Sequence, residues 1–97
     1  MKKKILILAG GYSKEREISN LTAKSVFNEL KKANKYILKI LDPSFGFVSF
    51  LKKFRPDVVF NALHGQFGED GYIQSKLEIE KIKYTHSGVL SSFMAMD

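Results

Sequence analysis

Ninety-seven residues, 44% of them hydrophobic, suffice for one domain (1–97) with a modest core and leave no room for a second catalytic domain. Sixteen Lys and Arg against ten Asp and Glu give a formal charge of +6, but the cations are scattered over predicted helix ends and strand edges, and only Arg16 and Arg55 are arginines, which argues against a nucleic-acid groove. With no cysteine there is no disulfide framework, thiolate metal site or cysteine nucleophile, and no stretch approaches the roughly 18 apolar residues of a membrane span.

The lysines at positions 2–4 precede an apolar run at 5–9 that is too short for a secretory signal and stops at Gly10 and Gly11, so a soluble, unexported chain is expected. The run suits a strand buried on both faces of a parallel sheet. A helix is predicted over 16–33, with Ile18, Leu21, Ser25, Val26, Leu30 and Ala33 on its inner face and Lys31 and Lys32 in its last turn. A second strand follows at 36–41, ended by Asp42 and Pro43. Phe47, Phe50, Leu51 and Phe54 fall at i, i+3, i+4 and i+7, which predicts a short amphipathic helix whose aromatics pack in the core and do not form a binding stripe. Arg55 and Pro56 end it.

A third strand is predicted at 58–63, followed by the glycine-bearing loop 64–71. Ile73, Leu77 and Ile82 mark another helix, with Glu69 and Asp70 near its start and Lys81 and Lys83 at its end. A short strand at 84–85 and a last helical segment at 89–96 complete the chain. This alternation predicts an α/β fold: an open, mostly parallel sheet with helices on both faces. In such sheets ligands gather at the carboxyl ends of the strands, where both glycine-bearing loops lie.

Gly10 and Gly11 permit close approach of a ligand or of a neighbouring helix, but they match neither the dinucleotide fingerprint nor a P-loop. Glu15, beside Arg16 and Glu17 where loop becomes helix, has two readings. It complements the helix dipole, or it grips a ligand ammonium through charge-assisted hydrogen bonds. Arg16 and Glu17 are read as a local ion pair or cap. His64, between an apolar strand and Gly65, either donates a hydrogen bond to a developing negative charge or fixes its own loop. His64, Glu69 and Asp70 show no recognised metal-ligand spacing, and the two acids read as a helix cap. His86 is a loop histidine without a role.

Taken together, GGYSKEREIS at 10–19, NALHGQFGEDGYIQSKLE at 61–78 and YTHSGVLSSFMAMD at 84–97 resemble the D-alanine:D-alanine ligases, in the order found in that family and over essentially the whole chain. The resemblance implies a Rossmann-like N-terminal domain that precedes a central domain and an ATP-grasp domain, absent from these residues, which hold ATP and Mg2+. It also implies an activity: ATP phosphorylates one D-alanine, and the amine of a second attacks the resulting D-alanyl phosphate to give the dipeptide for peptidoglycan synthesis. By the match of motifs Glu15 orients the first D-alanine through its ammonium, and His64 lies near the reacting carboxyl group. Gly10, Gly11, Ser19 and Gly65 complete the substrate-binding set.

No metal ligand and no bound cofactor are expected within these 97 residues, which should not turn over alone. A cytoplasmic location and a homodimer to which this domain contributes are further implications. Ligases that use D-lactate or D-serine as second substrate differ outside this region. Two positions depart from the family's pattern: His86 replaces a usual glycine, which disfavours a positive φ in that loop, and Phe93 replaces a usually small residue. Two other classes stay in view: a nucleotide-binding or receiver-like α/β module, which the fold permits without its fingerprints, and a basic interaction domain, which rests on net charge alone.

Overall fold

A computed structural model of the chain describes residues 2–10, 13–43, 46–62 and 72–86. Four strands, β1 (Lys3–Leu8), β2 (Tyr36–Leu41), β3 (Val58–Asn61) and β4 (Lys83–His86), form one sheet in the order β2-β1-β3-β4. Every neighbouring pair is parallel, with Leu8 aligned to Leu41 on one side and to Asn61 on the other. The connecting helices are α1 (Ser13–Lys32), α2 (Phe47–Phe54) and α3 (Tyr72–Ile79).

The central strands are apolar on both faces because both are covered. Ile5, Ile7, Ala9, Val58, Phe60 and Ala62 pack with Ala23, Val26 and Leu30 of α1. Leu6, Leu8 and Val59 pack with Phe47 and Leu51 of α2 and with Ile73 and Leu77 of α3. Right-handed parallel crossovers place α1 on one face and α2 and α3 on the other, since the chain leaves β1 toward β2 and then doubles back past β1 to β3. The expected α/β sheet with helices on both faces is therefore present. At the amino edge, β1 is tied to β3 by Lys4 N–H to Asp57 Oδ2 and by Asp57 N–H to the Lys4 carbonyl, both at 2.8 Å.

The predicted elements agree with the structure most closely at β2 and α2. The four α2 residues at helical spacing do pack inward: Phe47 and Leu51 are buried, and Phe50 and Phe54, with ring centroids 5.4 Å apart, lie partly buried against the same cluster. Elsewhere four corrections arise. β1 starts at Lys3, two residues early, because its first residues pair with Tyr36 and Ile37 of the edge strand. The inner face of α1 is turned from the expected one. Ser19, Ala23, Val26 and Leu30 are buried, whereas Ser25 and Ala33 are exposed and Ile18 and Leu21 are 54% and 62% exposed. Small residues at 19 and 23 let the helix come close to the sheet, and that closeness outweighs the burial of two larger side chains. Lys83 belongs to β4 and does not end α3. His86, read as a loop residue, closes β4 and has no positive φ. The segment 89–96 and Phe93 lie outside the described residues.

α1 and α3 are each followed closely by a left-handed residue that is not glycine, Asn34 (φ 53°) and Lys81 (φ 59°), and Arg55 (φ 52°) does the same for α2. At α3 the geometry is a Schellman motif: Ile82 N–H donates to the Leu77 carbonyl at 2.9 Å and Lys81 N–H to the Glu78 carbonyl at 3.1 Å, with Ile82 and Leu77 packed in the same cluster. A side chain in this conformation costs about 1–2 kcal/mol, partly offset in glycine by about 0.5–1 kcal/mol of extra backbone entropy in the unfolded chain. Lys81→Gly is therefore expected to stabilise the domain by about 0.5–1 kcal/mol, raising Tm by a few degrees in a thermal melt. An unchanged or lower Tm would show that Lys81 carries no strain. On the other side of this turn the Tyr84 hydroxyl donates to Glu78 Oε2 at 2.9 Å, and this bond, with burial and the carboxylate charge, raises the phenol above its usual 10.0. The bond requires the phenol proton, so its contribution is present below pH 10.0 and is lost as pH rises through the raised value.

Candidate functional site at the carboxyl edge of the sheet

Strand order reverses about β1 and β3, and the helices that follow these two strands pack on opposite faces, so the carboxyl edge between them is where a crevice for a ligand is expected. The two polar side chains buried among the described residues, Ser19 and Asn61, both lie at that edge. Asn61 closes β3, beside Leu8 of β1 and His86 of β4.

Gly10 follows β1 with φ 118°, a conformation that L side chains rarely adopt. Its N–H donates to Ser19 Oγ at 3.0 Å in a buried contact, which pulls the first turns of α1 onto the end of β1. On its other side lies Asp42: a Cβ added at Gly10 would sit 2.7 Å from Asp42 Cγ. Asp42 in turn accepts a hydrogen bond from Arg16 Nη1 at 2.8 Å. The expected local pairing of Arg16 with Glu17 is thus replaced by a pair that spans α1 and the end of β2. Two facts place Asp42 there. Leu41 stands opposite Leu8 in the ladder, and Ala9 N–H donates to the Leu41 carbonyl at 3.0 Å, so the residue after β2 falls beside Gly10.

Of the expected site residues, the structure brings Gly10 and Ser19 into direct contact and gives the Ser19 hydroxyl a loop-holding bond. It places the backbone of Glu15 inside α1, as the third helical residue, rather than in the preceding loop. The helix starts early because Lys14, Glu15 and Arg16 are good helix formers. The Glu15 side chain, Gly11, His64 and Gly65 lie outside what the structure describes, as do Glu69 and Asp70. Asp42 and Asn61 are the residues that sequence reasoning passed over. An acid directly after a strand that neighbours β1 was the available signal for Asp42, and a polar residue ending an otherwise apolar strand was the signal for Asn61.

A separate cleft of about 230 Å³ lies at the opposite, amino edge, lined among others by Arg55, Asp57, Glu80 and Lys81. Its two cations and two anions balance, which selects no sign of ligand. Among the described residues no group of three His, Cys, Asp or Glu could hold a metal ion, and no helix is long and apolar enough to cross a membrane.

Comparison with known proteins agrees with this geometry. A family model described as D-ala D-ala ligase N-terminus matches residues 43–87. The whole chain is 60% identical to a D-alanine–D-alanine ligase of Pelagibacter ubique and 46% identical to that of Rhodospirillum rubrum, yet it spans only 32% and 33% of their lengths. Among solved structures, a D-alanine–D-alanine ligase from Bacillus anthracis complexed with ATP superposes with a TM-score of 0.72 at 31% identity, over 88% of this chain and 28% of that one. A D-alanyl-alanine synthetase A from Vibrio cholerae gives 0.71 at 28% identity, over 86% of this chain and 31% of its own. The chain is accordingly similar, along its whole length, to the N-terminal part of D-alanine–D-alanine ligases.

Proposed function

We propose that this domain supplies one wall of the site for the first D-alanine in an ATP-dependent ligase that joins two D-alanines for peptidoglycan synthesis. The observation that carries the reading is the identity of 60% along the entire chain to a D-alanine–D-alanine ligase, and the strand order supplies the edge where such a site is expected. Glu15 is assigned the ammonium of the first D-alanine. In support, it stands one helical turn from Ser19, whose hydroxyl is bonded to Gly10, so its backbone lies near the carboxyl end of β1. Gly10, Gly11 and Gly65 are assigned the close backbone approach, and Ser19 shapes the site by holding Gly10. His64 is assigned a hydrogen bond to the reacting carboxyl group, where negative charge builds.

ATP, when bound, supplies the phosphoryl group that activates the first carboxylate. We assign both ATP and Mg2+ to the rest of the ligase, since the chain spans only 32% of the length of its Pelagibacter ubique relative. Dependence on ATP supports a cytoplasmic enzyme. A homodimer in which this domain takes part is supported by the exposed Ile18 and Leu21 on α1, apolar area of the kind that interfaces cover.

Glu15→Gln in the ligase that carries this domain tests the assignment. Loss of a charge-assisted bond worth about 1.5–3 kcal/mol lowers kcat/KM for the first D-alanine roughly 10- to 150-fold. The measurement is phosphate release with D-alanine varied and ATP saturating. Unchanged steady-state constants would refute the role of Glu15, and a wild-type enzyme that forms no dipeptide would refute the function.

A further inference from the structure

We propose that Asp42 and Arg16 form a positioning pair that sets the height and rotation of the first turns of α1, and with them Glu15, over the crevice; this rests on the reading that Glu15 orients the first D-alanine. Arg16 directly follows Glu15 in the helix, and its Nη1 donates to Asp42 Oδ2 at 2.8 Å. Three residues on, Ser19 Oγ accepts from Gly10 N–H at 3.0 Å. Residues three apart share a helix face, so α1 is fastened to the sheet at two points on one side of its start. Ser19 holds it to the end of β1, and Arg16 holds it to the end of β2.

The two fastenings meet at Gly10. The Asp42 carboxylate rests so close against Gly10 that a Cβ there would lie 2.7 Å from its Cγ. Asp42 itself is placed by the ladder, through Leu41 opposite Leu8 and the bond from Ala9 N–H to the Leu41 carbonyl. The chain of contacts thus runs from the rigid central strand through its neighbour to the residue beside Glu15. Arg16 and Asp42 are 54% and 26% exposed, and exposed ion pairs add little to folding stability. Geometry at the crevice, and not stability, is what this pair supplies.

The test uses the ligase that carries this domain. Asp42→Asn and Arg16→Met should each raise KM for the first D-alanine on the order of 10-fold, within the penalty for misplacing a binding group by about 1 Å. KM for ATP, kcat and Tm should stay near wild type. The double variant should resemble either single one, and Arg16→Lys should recover part of the loss, since it keeps the charge without the planar fork. Unchanged D-alanine KM values in both single variants, with wild-type activity intact, would overturn the inference and leave the proposed function standing. A lowered Tm and kcat with both KM values unchanged would reduce the pair to a structural contact and overturn it equally. A wild-type enzyme without dipeptide synthesis would remove the parent reading and this one with it.

Discussion

Replacing Phe60 with alanine should remove about 3–5 kcal/mol of folding stability. Phe60 is fully buried in β3, aligned with Ile7 of β1, and it packs on the α1 side among Ile5, Ile7, Ala23, Val26 and Leu30. Its removal opens a cavity between two central strands and the longest helix, where neither partner can collapse without breaking the parallel ladder. Domains of this size hold only about 5–15 kcal/mol in total, so the variant should be largely unfolded at modest denaturant. Phe60→Leu keeps most of the volume and should lose about 1.5 kcal/mol or less. Chemical denaturation monitored by circular dichroism reads both. A Phe60→Ala loss below about 1 kcal/mol would mean that α1 does not seal this face.

Gly10→Ala is expected to cost about 2–5 kcal/mol, from two separable causes. The first is backbone strain, because φ is 118° at this position. The second is collision, because the new methyl group would meet the Asp42 carboxylate and push it away from Arg16. A double-variant cycle divides them: truncating Asp42 to alanine in the Gly10→Ala background should restore the part due to collision and leave the part due to strain. Equal losses for Gly10→Ala with and without Asp42 would show that the contact contributes nothing. In the ligase, Gly10→Ala should also raise the D-alanine KM, since it disturbs the same attachment of α1.

How much of this was legible in the chain differs from element to element. β2 and α2 were, because nothing competes with their patterns: an apolar strand bounded by Asp42 and Pro43, and four large residues at helical spacing. The α1 face was misread because hydrophobicity favours Ile18 and Leu21, whereas the packing favours Ser19 and Ala23, whose small size sets how near the helix lies to β1. No reading of local pattern contains that distance. The pairing of Arg16 with Asp42 was equally hidden, since it joins residues 26 apart and depends on the register of β2 against β1. Gly10 was recognised as a place of close approach, but what approaches it is the Asp42 carboxylate on one side and the Ser19 hydroxyl on the other. Glu15 was recognised by its motif, and the structure adds its helical backbone and the fastening of the residue beside it.

The lysines that end α1 and α2 acquire a meaning in three dimensions that the net charge hides. Strands of this sheet all run one way and the helices between them return the other way, so Lys31, Lys32, Lys52 and Lys53 are carried to the edge remote from Gly10 and Ser19. Helix amino ends, with their fixed partial positive charge, are left facing the crevice. The domain is electrostatically polar end to end: mobile cationic side chains, readily screened by salt, gather at one pole, and oriented peptide groups stand at the other. A surplus of +6 that suggests a sticky basic surface in one dimension therefore does not gather at the crevice, where Arg16 is paired with Asp42.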